Sequence, residues 1–81
     1  VTTQEVEQTL LRILGTIAPE ADLSRLDPNA PLRDQLDIDS MDLLNFFTAI
    51  DQKLHVQVPE TDYPAVATLR TCAAYVAARL P

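Results

Sequence analysis

Apolar positions along the chain fall into three stretches of helical period, separated by links that proline punctuates. Val6, Leu10, Ile13, Leu14 and Ile17 recur at intervals of four, three, one and three, which puts them on one face of a helix. Thr2 and Glu5 have capping-box spacing and Pro19 is a stop, so this helix is expected over residues 3–17, weakened by about 1 kcal/mol at Gly15 relative to alanine. A second helix is expected from Ser40 to about Leu54. On a wheel of about 100° per residue, Leu43, Phe47, Ile50 and Leu54 cluster within about 60°, with Phe46 beside them. Met41 falls well away from that stripe and Leu44 sits at its edge. The last helix opens at Thr68, a good N-cap, and carries a stripe of Leu69, Cys72, Ala73, Val76 and Leu80.

The links are less regular. Pro19, Pro28 and Pro31 interrupt the first, and Asp22, Ser24, Asp27 and Asn29 supply turn chemistry. Yet Leu23, Leu26, Leu32, Leu36 and Ile38 run through it, so this loop must lie on the core. It is expected to hold one or two short helical turns, one of them near residues 31–36. Val56, Val58 and Pro59 read as an extended link, and Thr61 to Val66 as a short third helix limited by Pro64. No alternating strand pattern and no repeat is evident. The expected fold is all-α: a small four-helix bundle with three substantial helices, one short third helix and a long first loop, in one domain over residues 1–81.

Composition narrows the function. A chain of 81 residues, 47% apolar, can build one small core. A single glycine excludes a glycine-rich phosphate loop and a dinucleotide fingerprint. Twelve acids against six bases give a net charge of −6, a field that repels nucleic acid and anionic membranes and attracts proteins presenting Arg and Lys. Solubility alone is the competing explanation of that charge. Cys72 is the only cysteine, which excludes an intrachain disulfide and a cysteine zinc cluster; it reads as a small core residue. No apolar run approaches the roughly 18 to 20 residues of a membrane span. Val1 to Glu7 lacks the basic and apolar regions of a signal peptide, so a cytoplasmic location is expected.

The informative segment is Leu36-Asp37-Ile38-Asp39-Ser40-Met41-Asp42-Leu43-Leu44. Ser40 has two available roles: a helix N-cap, the commoner reason for serine at a helix start, or an exposed hydroxyl offered for attachment. A direct Ser40–histidine pair, of the kind nucleophilic catalysis commonly uses, is excluded by geometry. The only histidine, His55, lies fifteen residues further along the same helix, about 22 Å at 1.5 Å per residue. It reads as a surface residue at the helix C-terminus. A calcium loop starting at Asp37 fails as well, because Met41, Asp42 and Thr48 stand where an oxygen ligand, glycine and glutamate are needed. Asp34, Asp37, Asp39 and Asp42 surround the serine in sequence, with no base between Arg33 and Lys53. The helix dipole accounts for Asp39 and Asp42 but not for Asp34 or Asp37. Acids around a serine, with apolar Met41 and Leu44 beside it, form a docking surface for basic partners. Tyr63 and Tyr75 are expected to be partly buried with hydroxyls in water, and Arg70 and Arg79 to lie on a solvated face.

Asp39-Ser40-Met41-Asp42 resembles the Asp-Ser-Leu-Asp signature of acyl carrier proteins, with methionine in the leucine place. The resemblance extends to the first helix, the leucine-bearing loop, the helix beginning at the serine, the Val58-Pro59 link and the Thr68-Leu69 start of the last helix. It implies that a phosphopantetheinyl transferase moves 4′-phosphopantetheine from coenzyme A onto Ser40. The thiol of that arm then holds acyl groups as thioesters for fatty-acid or polyketide-type synthesis, and the carrier itself is not an enzyme. Asp39, Met41, Asp42 and Leu44 match partner-contacting positions, and Phe46, Phe47 and Ile50 are candidates to line an acyl pocket. The implied partners are the transferase and acyl-processing enzymes with basic docking surfaces, met by a monomer, with no nucleic acid and no membrane span. Ile38-Asp39 resembles the acyl type more than peptidyl carriers. Asp37 replaces a common glycine, Asn45 a usual acid and Thr48 a commonly apolar residue. Gln52 and Lys53 dilute the acidic lower half of the helix, two phenylalanines stand at positions more often aliphatic, and Tyr63-Pro64 interrupts the third helix. These departures suggest a specialised rather than a housekeeping carrier. The alternative is a helical protein-interaction module in which Ser40 is an ordinary N-cap. On the carrier reading, lysine at Asp39 or Asp42 is expected to weaken transfer without unfolding the bundle.

Overall fold

Helix α1 (Thr3–Ile17) starts where the Thr2 hydroxyl oxygen accepts the Glu5 amide at 3.1 Å and stops where the Ala18 amide reaches Leu14 O at 2.8 Å. The structure is a computed structural model that describes residues 2–80. Val6, Leu10, Ile13 and Leu14 are buried, and Ile17 is half-buried at the end of the same face.

The long link is fastened at both ends. Asp22 caps a 3₁₀ turn at Leu23–Arg25, its carboxylate accepting the Ser24 amide at 3.2 Å. One side chain then holds the bend: Gln35 Oε1 accepts the Asp27 amide at 2.6 Å, while its amide nitrogen donates to Asp27 O at 2.8 Å and Ala30 O at 3.0 Å. Gln35 closes the short helix α2 (Leu32–Gln35). The link is tied across the molecule by the Leu32 amide to Ala67 O at 2.8 Å and the Arg70 amide to Pro28 O at 2.9 Å, beside an isolated bridge between Pro31 and Thr68. Leu32, Leu36 and Ile38 are buried and Leu23 and Leu26 half-buried, so the loop does lie on the core.

Helix α3 (Ser40–Leu54) buries Phe46, Phe47 and Ile50. Ile50 and Phe46 are the deepest side chains of the face, and Leu43 and Leu54 are only half-buried. The buried centre is thus displaced toward Phe46, and Leu43 borders a surface hollow. His55 ends α3 in the left-handed region, at φ 58° and ψ 37°.

The third helix expected over Thr61–Val66 is a 3₁₀ helix at Glu60–Val66 with Pro64 inside it. Proline has no amide hydrogen and clashes with an α-helical turn before it, so this segment winds in the tighter form. In α4 (Leu69–Arg79), Thr68 caps the start by accepting the Thr71 amide at 3.0 Å, and Leu69, Cys72, Ala73 and Val76 are buried. Leu80 is half-buried just beyond the helix. Helix α1 packs against both α3 and α4, and α4 also packs on the 3₁₀ helix.

Among the described residues the core is wholly apolar and no buried side-chain polar atom lacks a partner. Tyr75 differs from its expected wet hydroxyl. It donates to Asp62 Oδ2 at 2.6 Å, and this bond, more than burial, holds the phenol above its ordinary pKa. Two arginines also find protein partners at the surface: Arg79 lies 3.5 Å over the Tyr75 ring, and Arg70 donates to Asn29 Oδ1 at 3.0 Å. No helix among the described residues is long and apolar enough to cross a membrane.

Candidate functional site

The chain reaches Ser40 through a short link that is extended at Leu36 and Asp39 and turns at Asp37, where the Ile38 amide reaches Leu36 O at 2.9 Å. Leu36 and Ile38 are buried on either side of that turn, and Asp37 and Asp39 are exposed. The two apolar anchors fix where α3 begins and leave the acids in solvent.

Helix α3 is capped by Asp39, not by Ser40. The Asp39 Oδ1 atom accepts the Asp42 amide at 2.9 Å, and Asp42 Oδ2 accepts the Asp39 amide at 3.2 Å, a reciprocal capping box. This corrects the reading of Ser40 as an ordinary N-cap. An N-cap needs extended backbone and a side chain directed back over the first turn, and Asp39 supplies both. Ser40 is therefore the first helical residue, is exposed, and its hydroxyl has no hydrogen-bond partner among the described residues. The contrast with the other serine is direct, since Ser24 Oγ donates to Asp22 Oδ1 at 2.5 Å.

The signal for this was present in the sequence. Asp39 and Asp42 have the same spacing as Thr2 and Glu5, the spacing of a capping box. The capping box also bears on the expectation that lysine at either aspartate weakens transfer without unfolding the bundle. Either substitution would remove a cap bond and place a cation at the positive end of the helix. Asp34 and Asp37 are exposed and make no side-chain hydrogen bond among the described residues, so they carry charge without a structural duty.

The surroundings are anionic and partly apolar. The ion pair found among the described residues, Arg25 to Asp22 at 3.6 Å, involves none of the four acids near Ser40. Their field is left uncompensated, a condition that draws in basic surfaces. Met41 is 63% exposed and Leu44 50%, the two large apolar side chains that stand out in solvent. Single exposed apolar residues are common, but these two flank Ser40 on the same helix end.

The three residues expected to line an acyl pocket separate. Phe46 and Ile50 are sealed in the core and border neither of the hollows beside α3. Phe47 borders both. One hollow, of about 260 Å³, is lined by Pro31, Leu32, Leu43, Phe47, Tyr63 and Val66 among others, with Arg33 its charged member. The sequence marks Tyr63 as a partly buried ring but not as a wall of this hollow, because its meeting with Phe47 depends on where the 3₁₀ helix docks. Cys72 is fully buried, and burial pushes its thiol up to about 12. The protein's own sulfur is thus not a reactive group near the site.

Comparison with known proteins agrees with this geometry. The family model described as the phosphopantetheine attachment site matches residues 4–76. A search of curated proteins gives no match. An exposed hydroxyl that breaks no hydrogen bond when substituted, on a helix whose cap it does not supply, suits a covalently held phosphate ester. With the match running from the first turn of α1 into α4, the chain belongs to the family whose domain carries covalently bound 4′-phosphopantetheine.

Proposed function

We propose that this protein is an acyl carrier in which Ser40 is the point of attachment of the phosphopantetheine arm. The observation that carries the proposal is the division of labour at the start of α3, where Asp39 caps the helix and leaves the Ser40 hydroxyl exposed. The bound arm supplies a thiol that holds acyl groups as thioesters. What the chain itself does is positional. The helix gives Ser40 a rigid base, and the Asp39–Asp42 box keeps the first turn wound while a transferase works on it. The base that takes the Ser40 proton belongs to the transferase, since His55 sits at the opposite end of α3. The carrier is accordingly not an enzyme.

Asp34, Asp37, Asp39 and Asp42 steer basic partners, and Met41 and Leu44 supply the apolar centre of the contact. Those partners are the transferase and acyl-processing enzymes of fatty-acid or polyketide-type synthesis. With Asn45, Thr48 and Gln52 uncharged and Lys53 basic, Asp51 is the one acid of α3 beyond Asp42, and this thinning of acids away from Ser40 favours a specialised rather than a housekeeping carrier.

The test is incubation with coenzyme A and a broad-specificity phosphopantetheinyl transferase. The intact mass is expected to rise by one phosphopantetheine, and Ser40→Ala to abolish the rise. An unmodified wild-type protein, under conditions that load a control carrier, would refute the proposal.

A further inference from the structure

Two hollows lie on either side of the Phe47–Tyr63 pair, and these two rings are the residues that border both. The first hollow, about 260 Å³, is walled mainly by apolar side chains, including Leu32, Leu43 and Val66. The second, about 450 Å³ and open to solvent, brings in Thr48, Asp51 and Gln57. Phe47 and Tyr63 stack at 4.4 Å between centroids with 23° between their planes. An alkyl chain passing between the rings would need roughly 7–8 Å, twice the ordinary carbon contact distance. The pair is a closed partition between a hollow that its apolar lining makes the drier (the dry hollow) and a more polar, more open one.

The partition is supported from both sides. Behind Phe47 lies Phe46, 1% exposed, with its ring 5.3 Å away, so Phe47 cannot swing inward without displacing the core. Tyr63 rides on the 3₁₀ helix, whose neighbouring Asp62 accepts the Tyr75 hydroxyl at 2.6 Å. The floor of the dry hollow is tied by the bond from the Leu32 amide to Ala67 O.

Ser40, Leu43 and Phe47 are spaced i, i+3 and i+7 on α3 and therefore share a side of the helix. The dry hollow thus begins about one turn from Ser40, and the aromatic partition stands about 10 Å along the helix from it. We propose, on the carrier reading above, that Phe47 and Tyr63 are specificity-determining residues that limit the length of the acyl chain the protein shelters. The occupant is the alkyl portion of a thioester tethered through Ser40. Each methylene that enters the dry hollow leaves water and adds to the stability of the loaded form. At the rings the gain ends, and the remainder of a longer chain stays in solvent with its thioester less well covered.

The test loads Ser40 with a series of straight-chain acyl-phosphopantetheines from butanoyl to hexadecanoyl, transferred from the corresponding acyl-coenzyme A by the broad-specificity transferase with release of adenosine 3′,5′-bisphosphate, each loading verified by mass. Two readouts are taken against the unacylated holo form of the same variant: the shift in melting temperature, and the rate of thioester cleavage by hydroxylamine. For the wild type both should change with chain length and then level off within the series. Tyr63→Ala, which opens the partition into the second hollow, should move the levelling point to longer chains and slow cleavage of those chains several-fold relative to wild type. Phe47→Leu, which removes a ring while retaining an apolar core residue, gives the same comparison if Tyr63→Ala does not fold. Protection that rises through the whole series in wild type would overturn the proposal, as would an identical levelling point in wild type and variant. Failure to load Ser40 at all would overturn the carrier reading itself, whereas loading that ignores the rings defeats only the partition.

Discussion

The assignment of the helix cap can be tested by exchanging the two neighbouring residues that compete for it. In the structure the Asp39 carboxylate satisfies the Asp42 amide at 2.9 Å, and Ser40 satisfies nothing. Asp39→Ala removes a cap bond, worth about 1 kcal/mol, together with a favourable charge at the helix N-terminus, worth about 0.3–1 kcal/mol. The expected loss is about 1.5–2 kcal/mol, a large share of the stability of a domain this small. At about 4–8 °C per kcal/mol, the melting temperature should fall by roughly 10 °C. Ser40→Ala changes an exposed position in the first turn, where alanine is at least as good a helix former, so its effect should stay within about 0.5 kcal/mol. Urea unfolding of the unmodified proteins measures both through the midpoint at constant slope. Asp39→Asn separates the two contributions. Asparagine caps as well as aspartate, so only the charge is lost, and the residual deficit should shrink with added salt. The reasoning is refuted if Ser40→Ala loses 1 kcal/mol or more while Asp39→Ala is neutral, because the serine would then be the cap.

Other consequences are simpler to check. Met41→Ala should cost less than about 1 kcal/mol, since the side chain is 63% exposed, yet should raise the KM of the transferase; a loss above about 2 kcal/mol in unfolding would mark a buried site instead. Asp34→Lys and Asp37→Lys should lower kcat/KM for transfer at low ionic strength with melting temperatures unchanged, and the difference from wild type should fade as salt rises; equal rates at low salt would remove the steering argument. The Cys72 thiol has its folded pKa raised to about 12 from 9.0, so the stability it contributes is complete below about pH 9 and is lost as pH climbs toward 12. A shift of that size corresponds to something on the order of 4 kcal/mol, and Cys72→Ala should flatten the alkaline fall in unfolding free energy. At neutral pH the native unmodified protein should show no fast-reacting thiol, so any fast thiol in the loaded protein reports the arm.

The spans of α1 and α3 were legible because their signals are local: Thr2 and Pro19 bound the first, and the apolar spacing from Leu43 to Leu54 marks the second. The exposure of Met41 and Leu44 followed from the same wheel. Features that depend on distant parts of the chain were not legible. Gln35 holds the bend through atoms five and eight residues back, a role that no periodicity announces. Phe47 meets Tyr63 only because the 3₁₀ helix lies beside α3, a placement that the local pattern does not encode. The cap at Asp39 is a different case, since its spacing to Asp42 is a local signal, with serine as a competing cap residue at the next position.

The most direct examination of the account is fragmentation of the protein after enzymatic loading from coenzyme A, with the added group located residue by residue. A phosphopantetheine confined to Ser40, on fragments containing Asp39-Ser40-Met41, is the predicted outcome. Its appearance on any other hydroxyl, or the persistence of a bare Ser40, would contradict it.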